Sequence, residues 1–263
     1  MPQIHVVVGA GGPTGGPYMW AILEGLNART GWKLDDAATI VGTSAGAFLA
    51  AAVEPQSSPN ELGDKAAIDL IRSIENGAHW TARRSDHVVA AIRRVIGLGI
   101  AAVAPLGRDL AEYGVREGPY HSGARAVAIR RRGKRAAPLL IDTEDVTALV
   151  RASAAIPFVN GPIEFSGAPH VDGAVYSPTN ADLVDANGGD VVLVIAPMVP
   201  QSGGSISARA HRALLRAELA PLIRGGVSVL VITPSAAAHA RRKDREFFTD
   251  SGRKQILDLV QNC

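Results

Sequence analysis

The chain has 263 residues, of which 47% are hydrophobic and 20% are charged, and this composition excludes an intrinsically disordered protein. Its formal net charge of +2 is too small to indicate nucleic acid as a partner. The single cysteine, Cys263, excludes an intramolecular disulfide and favours a reducing compartment. The N-terminus lacks the basic and apolar regions of a signal peptide, so we expect a cytoplasmic protein.

The first part of the chain predicts strands that alternate with helices. An apolar run at 4–8 predicts a buried strand, followed by the glycine-rich loop GAGGPTGG (9–16) and a helix over 18–28. A second short strand at 39–41 precedes a helix over 45–53. This alternation favours a parallel sheet with right-handed crossovers.

The rest of the chain continues the pattern, without internal repeats or a long linker. Its predicted elements are a polar loop at 54–60, a helix at 61–75, paired strands at 125–130 and 136–142, a helix at 145–155, buried strands at 190–196 and 227–233 with a helix at 208–223 between them, and a last helix at 252–261. We therefore predict a single domain over 1–263.

Residues 88–106 form the most apolar stretch of the chain. Arg93 and Arg94 interrupt it, and Gly97 and Gly99 weaken a helix there, so it does not predict a membrane-spanning helix. We interpret it as a core helix or as a lid over a site. The alternative is a helix that faces lipid at a membrane surface.

The pentapeptide GTSAG (42–46) lies where the second predicted strand turns into a helix. In such a turn the hydroxyl of Ser44 is exposed, and the N–H groups at the helix start point towards any oxyanion beside it. Gly42 and Gly46 allow the neighbouring backbone to approach closely. The same residues also suit a close-packed structural turn, so the pentapeptide alone leaves both interpretations open.

A serine hydroxyl is a weak nucleophile and needs a base. A histidine base would come late in the chain, where His211 and His239 lie in arginine-rich helices that we expect to be exposed. Asp172 is the stronger candidate, because an aspartate in an apolar setting can accept the proton without an intervening histidine. The dipeptide Asp172-Gly173 also favours a hairpin turn, which is the structural alternative.

The glycine-rich segment GAGGPTGG does not match a nucleotide-binding fingerprint, since Thr14 stands where the third glycine of G-x-G-x-x-G is required. Its backbone N–H groups could instead stabilise the negative charge that develops on a carbonyl oxygen during acyl transfer. A purely structural loop is the alternative.

The chain carries four motifs in a fixed order: GGPTGG (11–16), GTSAG (42–46), ASAAIP (152–157) and DGA (172–174). In this order they resemble the patatin-like phospholipases, which are lipid acyl hydrolases with a Ser–Asp dyad. The resemblance spans residues 4–185. It implies an α/β fold, a three-layer sandwich with a mostly parallel central sheet and helices on both faces.

The resemblance also implies roles for individual residues. Ser44 would be the nucleophile and Asp172 its base, with no metal and no cofactor. The other implied site residues are Gly11, Gly12 and Pro13 in the oxyanion hole, Gly42, Thr43, Ala45 and Gly46 in the nucleophile elbow, and Gly173 and Ala174 in the loop beside the base. Family members commonly carry an arginine or lysine within this glycine-rich loop, whereas this chain has Pro13, Thr14 and Gly15 there, and Pro13 has no N–H to donate.

The implied function is hydrolysis of carboxylic ester bonds in phospholipids or related lipids, with peripheral membrane contact. The basic runs at 130–135 and 241–245 would then either meet anionic head groups or form a solvated face. Two alternatives remain: a non-catalytic lipid-binding protein of the same fold, and an esterase with a histidine base.

Overall fold

The computed structural model of the chain describes residues 2–53, 83–103, 120–131, 138–141, 145–202 and 205–235. The predicted helices at 61–75 and 252–261 lie outside these ranges, as do the loop at 54–60, the basic run at 241–245 and His239.

Within the described ranges, eight strands form one sheet, hydrogen-bonded along the path β5-β6-β3-β2-β1-β7-β8 with β4 also paired to β3. The neighbours from β3 to β8 on this path are parallel, whereas β4, β5 and β6 pair antiparallel. The strands are β1 Ile4–Val8, β2 Thr39–Thr43, β3 Ala124–Arg130, β4 Pro138–Ile141, β5 Ile163–Phe165, β6 Ala168–Asp172, β7 Val191–Ile195 and β8 Ser228–Ile232. The predicted mostly parallel sheet is confirmed.

Helices cover both faces of this sheet. They are α1 Gly12–Thr30, α2 Ala45–Ala52, α3 Arg84–Val103, α4 Val146–Ser153 and α5 Ile206–Arg224, together with short 3₁₀ helices at Leu34–Asp36, Gly173–Val175 and Ala181–Leu183. The predicted helices agree with α2, α4 and α5 to within two residues at each end, the usual uncertainty of a helix boundary.

The alternation of side chains along β1 explains the layering. Val6 packs in a cluster with Met19 of α1, whereas the next residue, Val7, packs in a cluster with Leu215 of α5. Successive strand residues point to opposite faces, and all five side chains of β1 are buried. The continuous apolar run therefore marks a strand covered on both sides, and the fold is a three-layer α/β sandwich.

The glycine-rich segment is not a loop throughout, which corrects the prediction for 12–16. Gly11 is the N-cap of α1, the helix begins at Gly12, and the N–H of Gly15 donates to the carbonyl of Gly11 at 3.1 Å. Pro13 is compatible with this first turn, because an N–H there has no intrahelical acceptor. The segment thus places a helix N-terminus directly after β1.

The register along β3 brings the ends of β2 and β6 together. Thr43, the last residue of β2, pairs with Val127, and Asp172, the last residue of β6, pairs with the next residue, Ala128. β4 overlaps both pairings, so it occupies one edge of β3, and β2 and β6 lie end to end along the other. Residues 44 and 172 therefore lie close together, at the point along β3 where its partner changes from β2 to β6.

The apolar stretch predicted at 88–106 is helical over its described part, within α3. Gly97 does not end this helix but allows it to approach the 3₁₀ helix Gly173–Val175, since a Cβ there would overlap the carbonyl oxygen of Val175. The outward face of α3 is also apolar, and Val95 is 70% exposed. None of the helices in the described ranges is long and apolar enough to cross a membrane.

Candidate active site

Ser44 lies between β2 and α2 in an uncommon backbone conformation, with φ 55° and ψ −116°. A non-glycine residue stays in this region only when its surroundings hold it there. The N–H of Ser44 donates to the hydroxyl of Ser153 at 3.0 Å, and that hydroxyl donates to the carbonyl of Val127 at 2.7 Å. Ser153, the second residue of the ASAAIP motif, therefore connects the serine turn to β3.

The two glycines of GTSAG are needed for close packing around Ser44. A Cβ on Gly46 would overlap the carbonyl oxygen of Val8 in β1, and a Cβ on Gly42 would overlap the carbonyl oxygen of Gly46. The first turn of α2 consequently lies against the ends of β1 and β2. The strand-turn-helix geometry expected for Thr43, Ser44 and Ala45 is present.

Asp172 ends β6 and is buried. Its backbone N–H donates to the carbonyl of Ala155 at 2.9 Å, and its carboxylate Oδ1 accepts from the N–H of Ala174 at 2.7 Å. The chain continues into the 3₁₀ helix Gly173–Val175 rather than into a hairpin, so the hairpin interpretation of Asp172-Gly173 is wrong.

The carboxylate of Asp172 interacts with the hydroxyl of Ser44. Burial raises the pKa of Asp172 to about 6, and hydrogen bonds from the Ala174 N–H and the Ser44 side chain oppose that shift. Desolvation disfavours the charged form of a carboxyl group, whereas donors to the carboxylate favour it. The site therefore joins a serine hydroxyl to a carboxylate that titrates close to neutral pH.

Asn180 connects the two residues that flank this pair. Its side-chain nitrogen lies 3.1 Å from the Thr43 hydroxyl, 3.4 Å from the Gly173 carbonyl and 2.7 Å from the Ser177 carbonyl. Thr43 directly precedes Ser44, and Gly173 directly follows Asp172. The amide thus contacts both sides of the Ser44–Asp172 pair from a buried position.

A second buried carboxylate, Glu218 of α5, holds the segment after Asp172. Its Oε2 accepts from the Thr179 hydroxyl at 2.7 Å and from the Ala181 N–H at 3.1 Å, and its Oε1 lies 3.2 Å from Arg94 of α3. Burial and the nearby Asp182 raise the pKa of Glu218 to about 7. Both carboxylate oxygens are occupied, so this group joins α3, α5 and the 179–181 segment.

A cavity of about 490 Å³ opens above Ser44 and Asp172, and most of its other walls are apolar. Gly11 and Gly12, at the start of α1, also line it. The remaining lining residues are Ala10, Thr14, Arg93, Ile100, Ile156, Pro157, Phe158, Ala174, Val175 and Met198. The cavity is large enough for a small apolar ligand.

The structure thus brings Ser44, Asp172, Gly11, Gly12 and Ala174 to one cavity. The position of the Pro13 side chain is not described. No histidine in the described ranges lines the cavity, and those ranges contain no group of three His, Cys, Asp or Glu side chains that could hold a metal ion.

Sequence reasoning missed four residues around this site: Arg93, Ser153, Asn180 and Glu218. Ser153 could have been found from its place in the ASAAIP motif. Arg93 stood out only as an interruption of an apolar run, and nothing in the local sequence marks Asn180 or Glu218.

Comparison with known proteins supports the family from the sequence and gives a weaker structural likeness. A family model described as patatin-like phospholipase matches residues 6–185, more than half of the chain. The crystal structure of VipD from Legionella pneumophila is similar with a TM-score of 0.40 and 11% sequence identity, covering 98% of this chain and 67% of that chain. No curated protein matches the sequence.

Proposed function

The chain belongs to the patatin-like phospholipase family, and we propose that it is a serine acyl hydrolase that cleaves carboxylic ester bonds of phospholipids or related lipids. One observation carries the proposal: the Ser44 hydroxyl interacts with the buried carboxylate of Asp172 at the wall of a mostly apolar cavity. A nucleophile beside a base, within apolar walls, suits attack on the ester of an acyl chain.

In the proposed reaction, Asp172 accepts the proton of Ser44 as the serine oxygen attacks the ester carbonyl carbon. The tetrahedral intermediate collapses, the carbon–oxygen bond to the alcohol breaks, and Asp172 returns the proton to the departing alcohol. Water then attacks the acyl-serine with Asp172 again as the base. This second half releases the fatty acid and restores the Ser44 hydroxyl.

The negative charge on the carbonyl oxygen would be stabilised at the start of α1. Gly11 and Gly12 line the cavity there, and the first N–H groups of a helix carry no intrahelical partner. Pro13 contributes no donor, so Gly12 is the proposed principal donor of this segment. Ser44 also directly precedes α2, whose N-terminus adds a second positive helix end.

Substitution of the pair tests this mechanism. Ser44→Ala and Asp172→Asn should each lower kcat/KM for phosphatidylcholine and for a p-nitrophenyl acyl ester by about 10³-fold or more, with unchanged circular dichroism. Ser207→Ala, at an exposed position of α5, is the matched control and should retain wild-type activity. A folded Ser44→Ala or Asp172→Asn variant with a tenth of wild-type activity would refute the dyad.

Two further measurements separate the alternatives. Covalent labelling of Ser44 by a fluorophosphonate probe is expected of an activated serine and not of a non-catalytic lipid-binding protein. His239→Ala should keep full activity, and its inactivation would instead support an esterase with a histidine base.

Peripheral contact with lipid is proposed at the apolar rim of the cavity. Ile156 and Phe158 line the cavity and are 41% and 64% exposed, and the neighbouring Val159 is 60% exposed. Exposed apolar side chains around an apolar cavity favour contact with the acyl region of a membrane. The double variant Phe158→Ser/Val159→Ser should sediment less with phosphatidylcholine vesicles than wild type, whereas Trp20→Ser, at a separate cleft, should sediment normally.

A further inference from the structure

Two neighbouring arginines of α3 have contrasting surroundings. Arg94 lies 2.8 Å from Asp182 and 3.2 Å from Glu218, and its guanidinium stacks over Tyr176 at 4.4 Å from the ring centroid. Its charge is therefore neutralised within the fold. Arg93 instead lines the cavity that contains Ser44 and Asp172.

Arg93 has little internal compensation for its burial. The side chain is half-buried and donates one hydrogen bond, from Nη1 to the carbonyl of Val175 at 3.1 Å. Among the described residues, none of the carboxylates lies within ion-pair distance of it. A guanidinium carries five N–H donors, and a charge removed from water without a counter-charge is costly. An anionic ligand in the cavity would supply the missing counter-charge.

The position of Arg93 relates this charge to the reacting groups. Val175, whose carbonyl it contacts, ends the 3₁₀ helix that begins directly after Asp172. Among the residues that the structure describes, Asp172 is the one charged side chain besides Arg93 that lines the cavity. Without Arg93, an anionic group in the cavity would meet the like charge of that carboxylate with no cationic side chain from the described residues to offset it. Arg93 offers a planar fork that matches a phosphate.

We propose that Arg93 binds the phosphate group of the substrate, so that the cavity prefers acyl esters carrying an anionic phosphate to neutral acyl esters. This inference rests on the proposed acyl hydrolase function, which it deepens by naming the substrate class. The apolar walls receive the acyl chain, and the guanidinium receives the phosphate. Arg93 is accordingly a specificity residue that contacts the substrate away from the scissile bond.

The kinetic test compares dihexanoyl phosphatidic acid with dihexanoylglycerol, both as monomers, so that membrane binding has no influence. The ratio of the two kcat/KM values should fall about 10- to 100-fold in Arg93→Gln, the range for a hydrogen-bonded charge. Arg93→Lys should recover part of the ratio. Arg84→Gln removes the same charge from an exposed position of α3 outside the cavity lining, and should leave the ratio unchanged.

A binding test keeps the inference independent of turnover. Calorimetry with Ser44→Ala protein should show that monododecyl phosphate binds at least tenfold more tightly than inorganic phosphate, and that adding Arg93→Gln weakens it about 10- to 100-fold. If Arg93→Gln does not fold, Arg93→Lys should still weaken binding severalfold, because its ammonium lacks the planar fork.

The outcomes separate this inference from the proposed function. An unchanged kinetic ratio, or equal affinity of the Ser44→Ala proteins with and without Arg93, overturns the role of Arg93. Equal affinity for inorganic phosphate and monododecyl phosphate overturns the lipid as the source of the phosphate. Arg93-dependent binding in a wild-type protein that hydrolyses neither ester overturns the acyl hydrolase proposal and retains the phosphate site.

Discussion

Asp172 and Glu218 are both buried carboxylates, yet their surroundings differ. Asp172 faces the cavity, and its carboxylate interacts with the Ala174 N–H and the Ser44 hydroxyl. Glu218 lies inside the fold, where both of its oxygens accept hydrogen bonds and one faces Arg94. Burial raises both pKa values, to about 6 for Asp172 and about 7 for Glu218. Both carboxylates accept from a hydroxyl, but Ser44 and Asp172 line the cavity, whereas Thr179 and Glu218 are buried inside the fold. Burial alone therefore does not distinguish them, and access to the cavity does.

The two carboxylates act on the same stretch of chain, residues 172–181. Glu218 holds the hydroxyl of Thr179 and the N–H of Ala181, and Asn180 between them contacts Thr43 and Gly173. The carboxylate inside the fold therefore supports the geometry of the one in the cavity. Variants of Asp172, Glu218 and Asn180 can distinguish a loss of the proposed base from a change in the geometry of the site.

The largest expected effect is a difference in kcat/KM between variants of the two carboxylates. Asp172→Asn should lower kcat/KM about 10³-fold or more because it removes the proposed base. Glu218→Gln should lower it about tenfold or less, since it changes only the support of the segment. Ester hydrolysis at pH 8 measures both. A folded Glu218→Gln protein as inactive as Asp172→Asn would show that Glu218 takes part in the chemistry.

A smaller effect is expected for the amide between them. Asn180→Ala removes the contacts to Thr43 and Gly173, so kcat should fall about 10- to 100-fold and the free energy of unfolding by about 1–3 kcal/mol. Asn187→Ala, at an exposed position, is the matched control and should change neither quantity. An Asn180→Ala protein that loses stability but keeps wild-type kcat would contradict a positioning role.

The carboxylates should also differ in how they affect stability. The pKa of Asp172 is raised on folding, so its stabilising contribution is fully present below about pH 4 and is lost as the pH rises through about 6. Asp172→Asn avoids the ionisation and should be more stable than wild type by up to about 3 kcal/mol at pH 8.

Urea unfolding at pH 4.5 and pH 8 measures this difference, which should become small at the lower pH. Glu218→Gln also removes a buried ionisation, since the pKa of Glu218 is raised to about 7, but it loses the ionic contact with Arg94. It should therefore gain less stability at pH 8 than Asp172→Asn, and an equal gain would show that the Arg94 contact does not offset the buried charge.

The smallest expected effect concerns the pH profile of kcat/KM. A base must be ionised in the free enzyme, so activity should rise with pH through an apparent pKa of about 6, the value for Asp172. Glu218→Gln should keep this acidic limb at the same position to within about half a unit. If the acidic limb moved by more than this in Glu218→Gln, the ionisation that controls activity would belong to Glu218.

The sequence was sufficient for the parallel strands, for most of the described helices and for the motif residues that line the cavity. It was insufficient for two short strands and for the start of α1. The strands β5 and β6 escaped prediction because β5 has only three residues, one of them charged, and β6 contains a proline and ends in an aspartate. The φ values of Ser166 and Gly167 between them, 50° and 69°, are those of a two-residue hairpin turn. The start of α1 escaped prediction because glycines dominate its first turn.

The residues around the Ser44–Asp172 pair could not be predicted for a different reason. Arg94 and Glu218 are 124 residues apart, and Asn180 and Thr43 are 137 residues apart. Each is an ordinary polar residue in its local sequence, and its partner is determined only by the packing of α3, α5 and the sheet. Contacts over such separations need the tertiary structure.

The end-to-end arrangement of β2 and β6 along β3 has a consequence for protein engineering. The separation between Ser44 and Asp172 depends on adjacent rungs at Val127 and Ala128, and not on the length of chain that connects them. A slip of one residue would move Asp172 by about 3.3 Å and turn its side chain to the opposite face. Long insertions between the strands should therefore be tolerated, whereas β3, which contributes neither Ser44 nor Asp172, is the element that a redesign should leave intact.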